Sequence, residues 1–526
     1  MMNVLTNGSV KWLVAVRGRC FACAIAVLLL PSCLLAAAQP AKIFSDHMVL
    51  QRGLPVEIWG TANSGEKVAI TFDGQEVNTI AKNDGRWRVT LKSMKASSVG
   101  RALVVQSGEH KVVIRDVVVG EVWFAGGQSN MDYKVGGMAK RLPEGKAMLA
   151  SAKFNAIRFR KINERDSPVP LNEFKGSGQW QVCSPQSASR FSAVGFVVAR
   201  RLHLELKVPV GVIDCSWGGT PIEPYIPAKA FVGHPTLEKL AAYAKAGDVK
   251  SIKSMRGGTY VRSNAWLAGA IYNGRITPVA GYGIRGALWY QAESNCGRGE
   301  DPRDYAHKMR ALVKGWRAAW KRKDLPVYYV QLPQWKSYAW TYARQEQLRA
   351  SDVAGTGMAV TIDLDNANDI HPPNKIDVGE RLARWPLAKV YGRDVAASGP
   401  IYKSAKVRGV SMIISFDHIV GGLLIGDVKD GGKGIGDVKE SKAGRLHGFE
   451  LVGDDGVWHE AKAVVSGETL VVTCMQVPKP LAVRYACHPV AQKDKPWNLY
   501  NKAGLPASPF CSDWTKMVYQ PSKNPG

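Results

Sequence analysis

The feature that most constrains the fold is a regular alternation of short apolar runs with helical periodicity over residues 116–397. The apolar runs are rich in β-branched and aromatic residues, and helix-like segments such as "AVGFVVARRLHLEL" lie between them. This alternation predicts a parallel sheet covered by helices on both faces. The ligand site of such a sheet lies at the carboxyl ends of its strands. The predicted strands are "EVWFAG", "VPVGVIDC", "GALWYQ", "LPVYYVQL" and "GMAVTIDL".

Segments with a different pattern flank this region, as expected for a chain of 526 residues, which exceeds one ordinary core. Residues 39–115 and 398–490 contain short β-type runs separated by turn signals such as "ANSGE" and "KNDG". We expect a small β-sandwich domain at 39–115, the α/β domain at 116–397 and a β-rich domain at 398–490. Residues 491–526 form a tail that we expect to pack on the other domains.

The first 38 residues have the organisation of a signal peptide. Three basic residues precede an apolar stretch at 21–30, and the alanines at 36–38 fit a cleavage site. The apolar stretch is short and is followed by Pro31, which disfavours a membrane-spanning helix. We therefore expect export to the periplasm or the extracellular space, with no stable membrane insertion after cleavage near Gln39.

The first predicted strand of the α/β region runs into the sequence "FAGGQSNMDY" (124–133), in which two glycines precede Gln128 and Ser129. A small hydroxyl at such a strand end is a candidate nucleophile. The stretch is not the G-x-S-x-G elbow of α/β-hydrolases, because Met131 stands where that motif has its second glycine. Ser129 would therefore need a base and oxyanion donors from other parts of the chain.

The sequence "DNANDIHPPNK" (365–375) offers the most suitable base. It follows the predicted strand "GMAVTIDL" and carries Asp369 two residues before His371. A serine hydroxyl needs a base to remove its proton, and that base is usually a histidine oriented by a carboxylate. This loop can deliver both groups to one strand end, although a histidine before two prolines is, by itself, more often structural.

Two further strand ends carry hydrogen-bond donors for an oxyanion. The sequence "DCSWGGTPIE" (214–223) offers the backbone N–H groups of Gly218 and Gly219, which can be approached closely because glycine has no Cβ. The sequence "LWYQAESN" (288–295) offers the amides of Gln291 and Asn295. The N–H group of Ser129 completes the predicted set. A Gly-Gly pair alone is equally consistent with an ordinary turn.

These motifs, in this order, resemble the sialate O-acetylesterase family, whose catalytic domain is of the SGNH-hydrolase type. The resemblance covers most of the chain after the predicted signal peptide. It implies an SGNH-hydrolase-like three-layer α/β domain with a parallel sheet, flanked by small β-sandwich domains. The segments that carry it are "AKIFSDHMVLQRGLPVEIWGTANSGEKV", "VVGEVWFAGGQSNMDYKV", "VPVGVIDCSWGGTPIEPY", "GALWYQAESN", "DIHPPNKIDVGERLA" and "NLYNKAGLPASPF".

The resemblance also implies roles for the candidate residues. Ser129 matches the family's nucleophile, His371 its general base and Asp369 the carboxylate that orients the base, with no metal and no cofactor. The implied activity is removal of O-acetyl groups from sialic acid or a related sugar through an acyl-enzyme. An acetyl esterase for plant or algal polysaccharides, of the acetyl xylan or pectin type, has a similar architecture. The implied oxyanion donors are Ser129 N–H, Gly218 or Gly219, and Gln291.

The chain departs from the family's pattern in three places. Many SGNH enzymes place the carboxylate three residues before the histidine, where this chain has Asn368, so Asp363, Asp365 or a backbone carbonyl are alternative orienting groups. Ala292 stands where the family usually has glycine, and its methyl group narrows the site or strains the backbone if φ must be positive. Arg275 replaces a usual methionine and would favour an anionic substrate if it faces the cleft.

The net charge of +26 attracts anionic partners, an acidic sugar among them. Because no nucleic-acid-binding motif is present, nucleic acid is not an expected partner. A non-catalytic glycan-binding protein is the rival interpretation, but it would require a broken triad, and Ser129 and His371 are both present. The sequence contains no indication of an oligomeric state. The candidates for substrate contacts are Asn295, Glu293, Arg275 and Tyr225; the candidates for sugar stacking, each equally suited to the core, are Tyr225, Trp289 and Tyr290.

Six cysteines follow the predicted signal peptide, an even number that permits disulfides in an oxidising compartment. Their spacing is wide and contains no C-x-x-C, so a zinc cluster is not expected. The sequence leaves their pairing open, and buried unpaired thiols are the alternative. The six are Cys183, Cys215, Cys296, Cys474, Cys487 and Cys511.

Overall fold

The computed structural model describes residues 38–162, 165–174, 176, 178–248, 250–251, 267–296, 301–364, 367–427, 438–441 and 444–519. Residues 1–37 of the predicted signal peptide lie outside the described residues, so cleavage and export stay predictions. Within the described part of the chain, no helix is long and apolar enough to cross a membrane.

The strands of the described residues are numbered in chain order. They are β1 Gln39–Pro40, β2 Val49–Gln51, β3 Val56–Thr61, β4 Lys67–Phe72, β5 Gln75–Ile80, β6 Arg86–Leu91, β7 Ser97–Ser107, β8 His110–Gly127, β9 Phe154–Lys161, β10 Gln181–Cys183, β11 Val210–Asp214, β12 Gly286–Tyr290, β13 Val327–Val330, β14 Thr356–Ala359, β15 Ile401–Arg408, β16 Ser411–Asp417, β17 Leu423–Asp427, β18 Lys439–Glu440, β19 Phe449–Val452, β20 Trp458–Glu460, β21 Lys462–Ser466, β22 Thr469–Thr473, β23 Ala482–Tyr485, β24 Leu499–Asn501 and β25 Phe510–Cys511.

The α-helices fall within the predicted α/β region. They are α1 Ser129–Asp132, α2 Val135–Ala139, α3 Pro143–Ala150, α4 Pro185–Ser189, α5 Ala193–Leu206, α6 Pro235–Ala246, α7 Tyr305–Ala319, α8 Tyr338–Arg349 and α9 Lys375–Lys389. A single π-helical turn spans Tyr272–Ile276.

A large mixed sheet lies at the centre of this region and confirms the predicted α/β class. Its main path runs β10-β9-β11-β8-β12-β13-β14. Off this path, β2 and β7 also pair with β8, β4 pairs with β7, and β5 pairs with β4. From β9 to β14 the neighbours on this path pair in parallel, whereas β10 pairs with β9 antiparallel. Strands β11, β12 and β13 are buried along their whole length, as expected for a sheet covered on both faces.

Neighbouring residues of β8 show how the two faces are covered. Phe124 packs edge-on against Trp316 of α7, with ring centroids 5.2 Å apart. Trp123 points the other way, towards Tyr328, which stacks on Trp385 of α9. Because successive side chains of a strand point to opposite faces, helices α7 and α9 lie on opposite sides of the sheet.

Strand β8 is long because it belongs to two patterns at once. Its first half pairs antiparallel with β7, and its second half pairs in parallel with β11 and β12. The predicted boundary between residues 115 and 116 therefore falls inside a continuous strand. The proposed division into domains stays a prediction.

Several small antiparallel sheets lie outside the central one. One has the order β1-β3-β6 and belongs to residues 39–115. Two others, β15-β16-β22-β21 and β20-β19-β23-β25, contain most strands of residues 398–490. The predicted tail contributes β24, which pairs with β17, and β25, which pairs with β23.

Candidate active site

The predicted motifs meet at the carboxyl edge of the central sheet. Strand β8 ends at Gly127 and leads into the Ser129 turn (residues 126–130). Its neighbour β11 ends at Asp214 and leads into the glycine loop (residues 214–219), and β12, its other neighbour, ends at Tyr290. The histidine loop (residues 369–374) precedes α9. Parallel pairing brings these strand ends together, as the sequence predicts.

Glycine at position 127 allows the Ser129 turn to lie against β12. Gly127 has φ +136°, and a Cβ on it would lie 2.1 Å from the carbonyl oxygen of Tyr290. The next peptide N–H, that of Gln128, donates to the same oxygen at 3.1 Å. A larger residue at position 127 would therefore push Ser129 off the sheet edge.

His371 faces Ser129 across the site. The distance between His371 Nε2 and Ser129 Oγ is 2.8 Å, although the two residues are 242 positions apart in the chain. Burial lowers the pKa of the His371 imidazole, as does the Lys375 ammonium, against the raising effect of the Asp369 carboxylate. The imidazole is therefore neutral at neutral pH and able to accept the serine proton.

Asp369 lies beside His371 but contacts its backbone. One carboxylate oxygen accepts the His371 N–H at 2.8 Å, and the other pairs with Arg141 Nη2 at 2.6 Å. Arg141 Nη1 also lies 3.4 Å from the carbonyl oxygen of His371. Asp369 thus fixes the histidine loop with the help of Arg141, a residue that no sequence motif marked.

The alternative orienting carboxylates differ in their placement. Asp363 is buried and holds Arg381 of α9 in a two-pronged ion pair, with N–O distances of 2.5 and 2.8 Å. Its carboxylate is therefore engaged by Arg381, and no contact with His371 is found among the described residues. Asp365 lies outside the described residues.

The glycine loop places backbone donors next to Ser129. A Cβ built on Gly218 would lie 3.7 Å from the Ser129 Cβ, so the two residues are in contact distance. Gly219 has φ +73°, a left-handed conformation suited to glycine. Among the described residues, no acceptor is found for the backbone N–H groups of Ser129, Gly218 and Gly219. These donors are available to a bound group.

The side chains of Gln291 and Asn295 support the Ser129 turn from within the protein. Gln291 is fully buried, and its amide nitrogen donates to Gln128 Oε1 and Asn295 Oδ1, both at 2.9 Å. The Asn295 amide nitrogen is directed at the Glu223 carboxylate. An amide nitrogen carries two hydrogens. In this conformation both hydrogens of the Gln291 amide are donated to these neighbouring side chains.

Asn130, the residue after Ser129, joins the turn to the histidine loop. Its amide nitrogen donates to Glu293 Oε1 at 2.6 Å and to the Ile370 carbonyl at 3.0 Å. Its amide oxygen accepts from Lys375 Nζ at 2.7 Å. Burial raises the pKa of the Glu293 carboxyl, whereas the Asn130 hydrogen bond and the Lys375 charge lower it. Both groups therefore stabilise the charged carboxylate within this buried network.

The predicted substrate-contacting residues are mostly buried in this structure. Glu293 and Asn295 belong to the networks just described, and Tyr225 donates its hydroxyl to the Gly127 carbonyl at 2.7 Å. Trp289 and Tyr290 are also fully buried. The structure therefore places these aromatic side chains in the core, and none of the three presents a face for sugar stacking.

All six cysteines outside the predicted signal peptide carry free thiols. The even number permits disulfides, but none is formed among the six; four of them are buried, and Cys487 and Cys511 share one small apolar cluster. Within the described residues, no group of three or more His, Cys, Asp or Glu side chains is arranged to hold a metal ion.

Known proteins with similar sequences and structures identify the family. A family model described as "Carbohydrate esterase, sialic acid-specific acetylesterase" matches residues 237–387. The sialate O-acetylesterase of Rattus norvegicus is 25% identical over 436 residues, covering 72% of this chain and 78% of that protein. The sialate O-acetylesterase of Homo sapiens is 26% identical over 400 residues, covering 69% and 73%.

A solved structure gives a match over nearly the whole chain. The carbohydrate acetylesterase from Xanthomonas citri is 30% identical, with a TM-score of 0.77, and the match covers 90% of this chain and 99% of that one. The chain belongs to the sialate O-acetylesterase family. It is a carboxylic ester hydrolase, as the order of its motifs predicted.

Arg275, which stands where the sialate O-acetylesterase family usually has methionine, does not face the cleft. It is fully buried, and its guanidinium donates to the backbone carbonyl groups of Ile162 and Ser216. The condition for the predicted preference for an anionic substrate, a guanidinium that faces the cleft, is therefore not met. The π-helical turn at 272–276 directs the side chain inwards, underneath the glycine loop.

Ala292, at the family's usual glycine, has φ +153° and ψ −16° and is fully buried. An alanine in this region carries backbone strain of roughly 1–3 kcal/mol. Ala292→Gly should therefore raise the free energy of unfolding by about 1 kcal/mol, after the greater chain entropy of glycine is subtracted. Thermal unfolding checks this against Ala287→Gly, a buried β12 control that should lose stability. Equal losses in both variants would show that Ala292 is unstrained.

Proposed function

We propose that the protein is a serine esterase that removes O-acetyl groups from a carbohydrate, with Ser129 as nucleophile and His371 as general base. The observation that carries this proposal is the 2.8 Å approach of His371 Nε2 to Ser129 Oγ, beside backbone N–H groups for which the described residues supply no acceptor. Membership of a carbohydrate esterase family supports it.

The first half-reaction transfers the acetyl group to the enzyme. Ser129 Oγ attacks the acetyl carbonyl carbon while His371 Nε2 takes the hydroxyl proton. The resulting tetrahedral intermediate collapses when the bond between the carbonyl carbon and the sugar oxygen breaks. The sugar oxygen leaves with the proton from His371, and the acetyl group stays on Ser129 as an ester.

The second half-reaction releases acetate. A water molecule gives a proton to His371 and attacks the acetyl-Ser129 ester. When the second tetrahedral intermediate collapses, Ser129 Oγ recovers that proton and acetic acid leaves, to ionise in solution. Every proton moves through His371 Nε2, so the chemistry needs no other acid or base.

The oxyanion of both intermediates would be held by the N–H groups of Ser129 and Gly218, with that of Gly219 next to them. Such donors stabilise a developing negative charge strongly when they are fixed in advance. Gln291 lies against the Ser129 turn, and we assign its amide to holding Gln128 rather than to the predicted role of oxyanion donor. It would reach the oxyanion only by giving up one of those bonds.

The arrangement is consistent with an SGNH-type catalytic domain at residues 116–397. The serine follows the first strand of the domain, the glycine loop follows a neighbouring strand, and the histidine arrives late, before the last helix. Asp369 would act by fixing the histidine loop and by its negative charge. With residues 1–38 as a signal peptide, the enzyme would work outside the cytoplasm.

The substrate we favour is an O-acetylated sialic acid or a related acidic sugar. Two relatives are named sialate O-acetylesterases, and the net charge of +26 would attract an acidic sugar. An acetylated plant or algal polysaccharide of the xylan or pectin type is the second candidate, since a solved structure that matches 90% of this chain is called a carbohydrate acetylesterase. Acetate release should be measured from O-acetylated sialic acids, acetylated xylan and acetylated pectin.

The outcome of that panel discriminates between the substrates. A kcat/KM at least about tenfold higher for sialic acid esters than for the neutral xylan supports the acidic sugar, and this preference should shrink with added salt. A preference for xylan or pectin would assign the enzyme to plant polysaccharides. No acetate from any carbohydrate would contradict the proposed function.

The pH dependence follows from the lowered pKa of His371. Because the neutral imidazole is the base, kcat/KM should fall as the pH drops through that pKa, below the ordinary histidine value of about 6.5. The Arg141 charge lowers and the Asp369 charge raises this pKa. Arg141→Gln should therefore move the acidic limb to higher pH, and Asp369→Asn should move it to lower pH. Limbs that move together, or not at all, would contradict this assignment.

A further inference from the structure

A partly buried ammonium group lies underneath the glycine loop. Lys161 ends β9, beside Asp214 at the end of β11. Its Nζ donates to Asp132 Oδ1 at 2.6 Å, to Asp214 Oδ2 at 3.0 Å and to the Ser216 carbonyl at 2.8 Å. Burial opposes the charge, but the two carboxylates raise the pKa of Lys161 above its usual range, so it stays charged.

This ammonium group joins the two parts of the site. Asp132 ends α1, the short helix that begins with Ser129. Asp214 and Ser216 belong to the glycine loop, and Asp214 also accepts the Ser216 N–H at 2.8 Å. Lys161 therefore connects the helix that carries the proposed nucleophile to the loop that carries the proposed oxyanion donor.

Arg275 approaches the same carbonyl group. Its Nη1 and Nη2 lie 3.4 and 3.5 Å from the Ser216 oxygen, and Nη2 donates to the Ile162 carbonyl. The guanidinium carbon lies 5.6 Å from the centre of the Trp217 ring. Two cations thus approach one backbone oxygen of the glycine loop. A methionine at position 275 would supply no hydrogen-bond donor to this oxygen.

The peptide between Ser216 and Trp217 is held at both ends. Its carbonyl group accepts from Lys161 and Arg275, and its N–H donates to the Gly127 carbonyl in the Ser129 turn at 2.9 Å. Gly218 is the next residue, and its N–H is without an acceptor among the described residues. The Gly218 N–H belongs to the next peptide, whose Trp217 carbonyl accepts from Thr220 Oγ1 at 2.7 Å. The Ser216–Trp217 peptide therefore sets the position from which this donor starts, and Thr220 holds its other side.

We propose that Lys161 and Arg275 are positioning residues that hold the Ser216–Trp217 peptide so that the Gly218 N–H is aimed at the oxyanion. This inference rests on the proposed function. Oxyanion donors act in full only when they lie within about 3 Å of the charge and do not have to reorient during the reaction. Arg275 supplies from below the loop a contact that methionine cannot make.

The test compares Arg275→Met and Lys161→Met with the wild-type enzyme. We would measure kcat and KM for 4-nitrophenyl acetate and Ki for phenylboronic acid, which forms a tetrahedral, anionic adduct on a nucleophilic serine. All rates are normalised to the concentration of folded protein, with one active site per chain. Lys153→Met, an exposed lysine next to β9, is the control.

Donors that point in the wrong direction should weaken binding of the transition state, whereas binding of the substrate should not change. We expect kcat to fall roughly 10- to 100-fold, less than or similar to the loss of a whole oxyanion donor, with KM within about twofold. Ki should rise by the same factor as kcat falls. Lys161→Arg and Arg275→Lys, which keep a donor, should restore part of both.

A purely structural role gives a different result. Variants with a lower Tm but unchanged kcat and Ki per active site would overturn the proposal. If Arg275→Met does not fold, the Lys161 pair of variants decides, because this ammonium is partly exposed and its removal disturbs the core less. Activity that survives Ser129→Ala would instead overturn the proposed function, which keeps the two failures distinct.

Discussion

Replacing Ser129 by alanine should lower kcat for acetyl ester hydrolysis by about four orders of magnitude or more, without loss of stability. The substitution removes the hydroxyl that His371 approaches at 2.8 Å and leaves the buried networks around it intact. The N–H donors remain, so a small rate above that of water should persist. Acetate release and Tm should be measured on the same preparation.

Ser151→Ala provides the control for this experiment. Ser151 is exposed at the end of α3, and its hydroxyl contacts only the Met148 carbonyl among the described residues. Its removal should change neither kcat nor Tm measurably. If Ser129→Ala kept more than about one per cent of the wild-type rate, another group would have to be the nucleophile.

The second large effect concerns stability. Asp363→Ala should lower the free energy of unfolding by about 3–5 kcal/mol, because it removes the carboxylate to which the buried Arg381 guanidinium donates two hydrogen bonds. Asp363 also accepts the Tyr500 hydroxyl at 3.0 Å. The ion pair ties α9, which follows the histidine loop, to the segment after β14, so thermal unfolding should occur at a clearly lower temperature.

Two variants test the physical reason for this loss. The double change Asp363→Leu with Arg381→Met removes both charges and should recover much of the stability, since no buried charge is left unpaired. Asp417→Ala, which removes an exposed partner of Lys403, should change the free energy of unfolding by less than about 1 kcal/mol. A double variant as unstable as Asp363→Ala would show that packing, not charge, causes the loss.

The class of the fold and the meeting of Ser129 with His371 could be predicted because both follow from local rules. Continuous apolar runs such as β11 and β12 are typical of a sheet covered on both faces. Parallel pairing then places the residues after each strand at one edge. The 2.8 Å contact joins residues 242 positions apart, yet each is marked by its own strand end.

The directions of side chains could not be predicted in the same way. Arg275 and Gln291 are both at the site, but a π-helical turn directs Arg275 under the glycine loop, and neighbouring amides occupy Gln291. Arg141 lies in a segment without a motif, and only tertiary packing brings it to Asp369. Hydrogen-bond partners of this kind depend on distances between elements, which a pattern along the chain does not contain.

The most direct test of the account is to find which residue a fluorophosphonate modifies. The probe reacts with a serine only when a base activates it and oxyanion donors receive the phosphoryl oxygen. We predict one modified peptide, containing Ser129, with activity lost in proportion to labelling and no labelling of His371→Ala. Labelling at another residue, or full acetyl ester hydrolysis by an enzyme already modified at Ser129, would contradict the account.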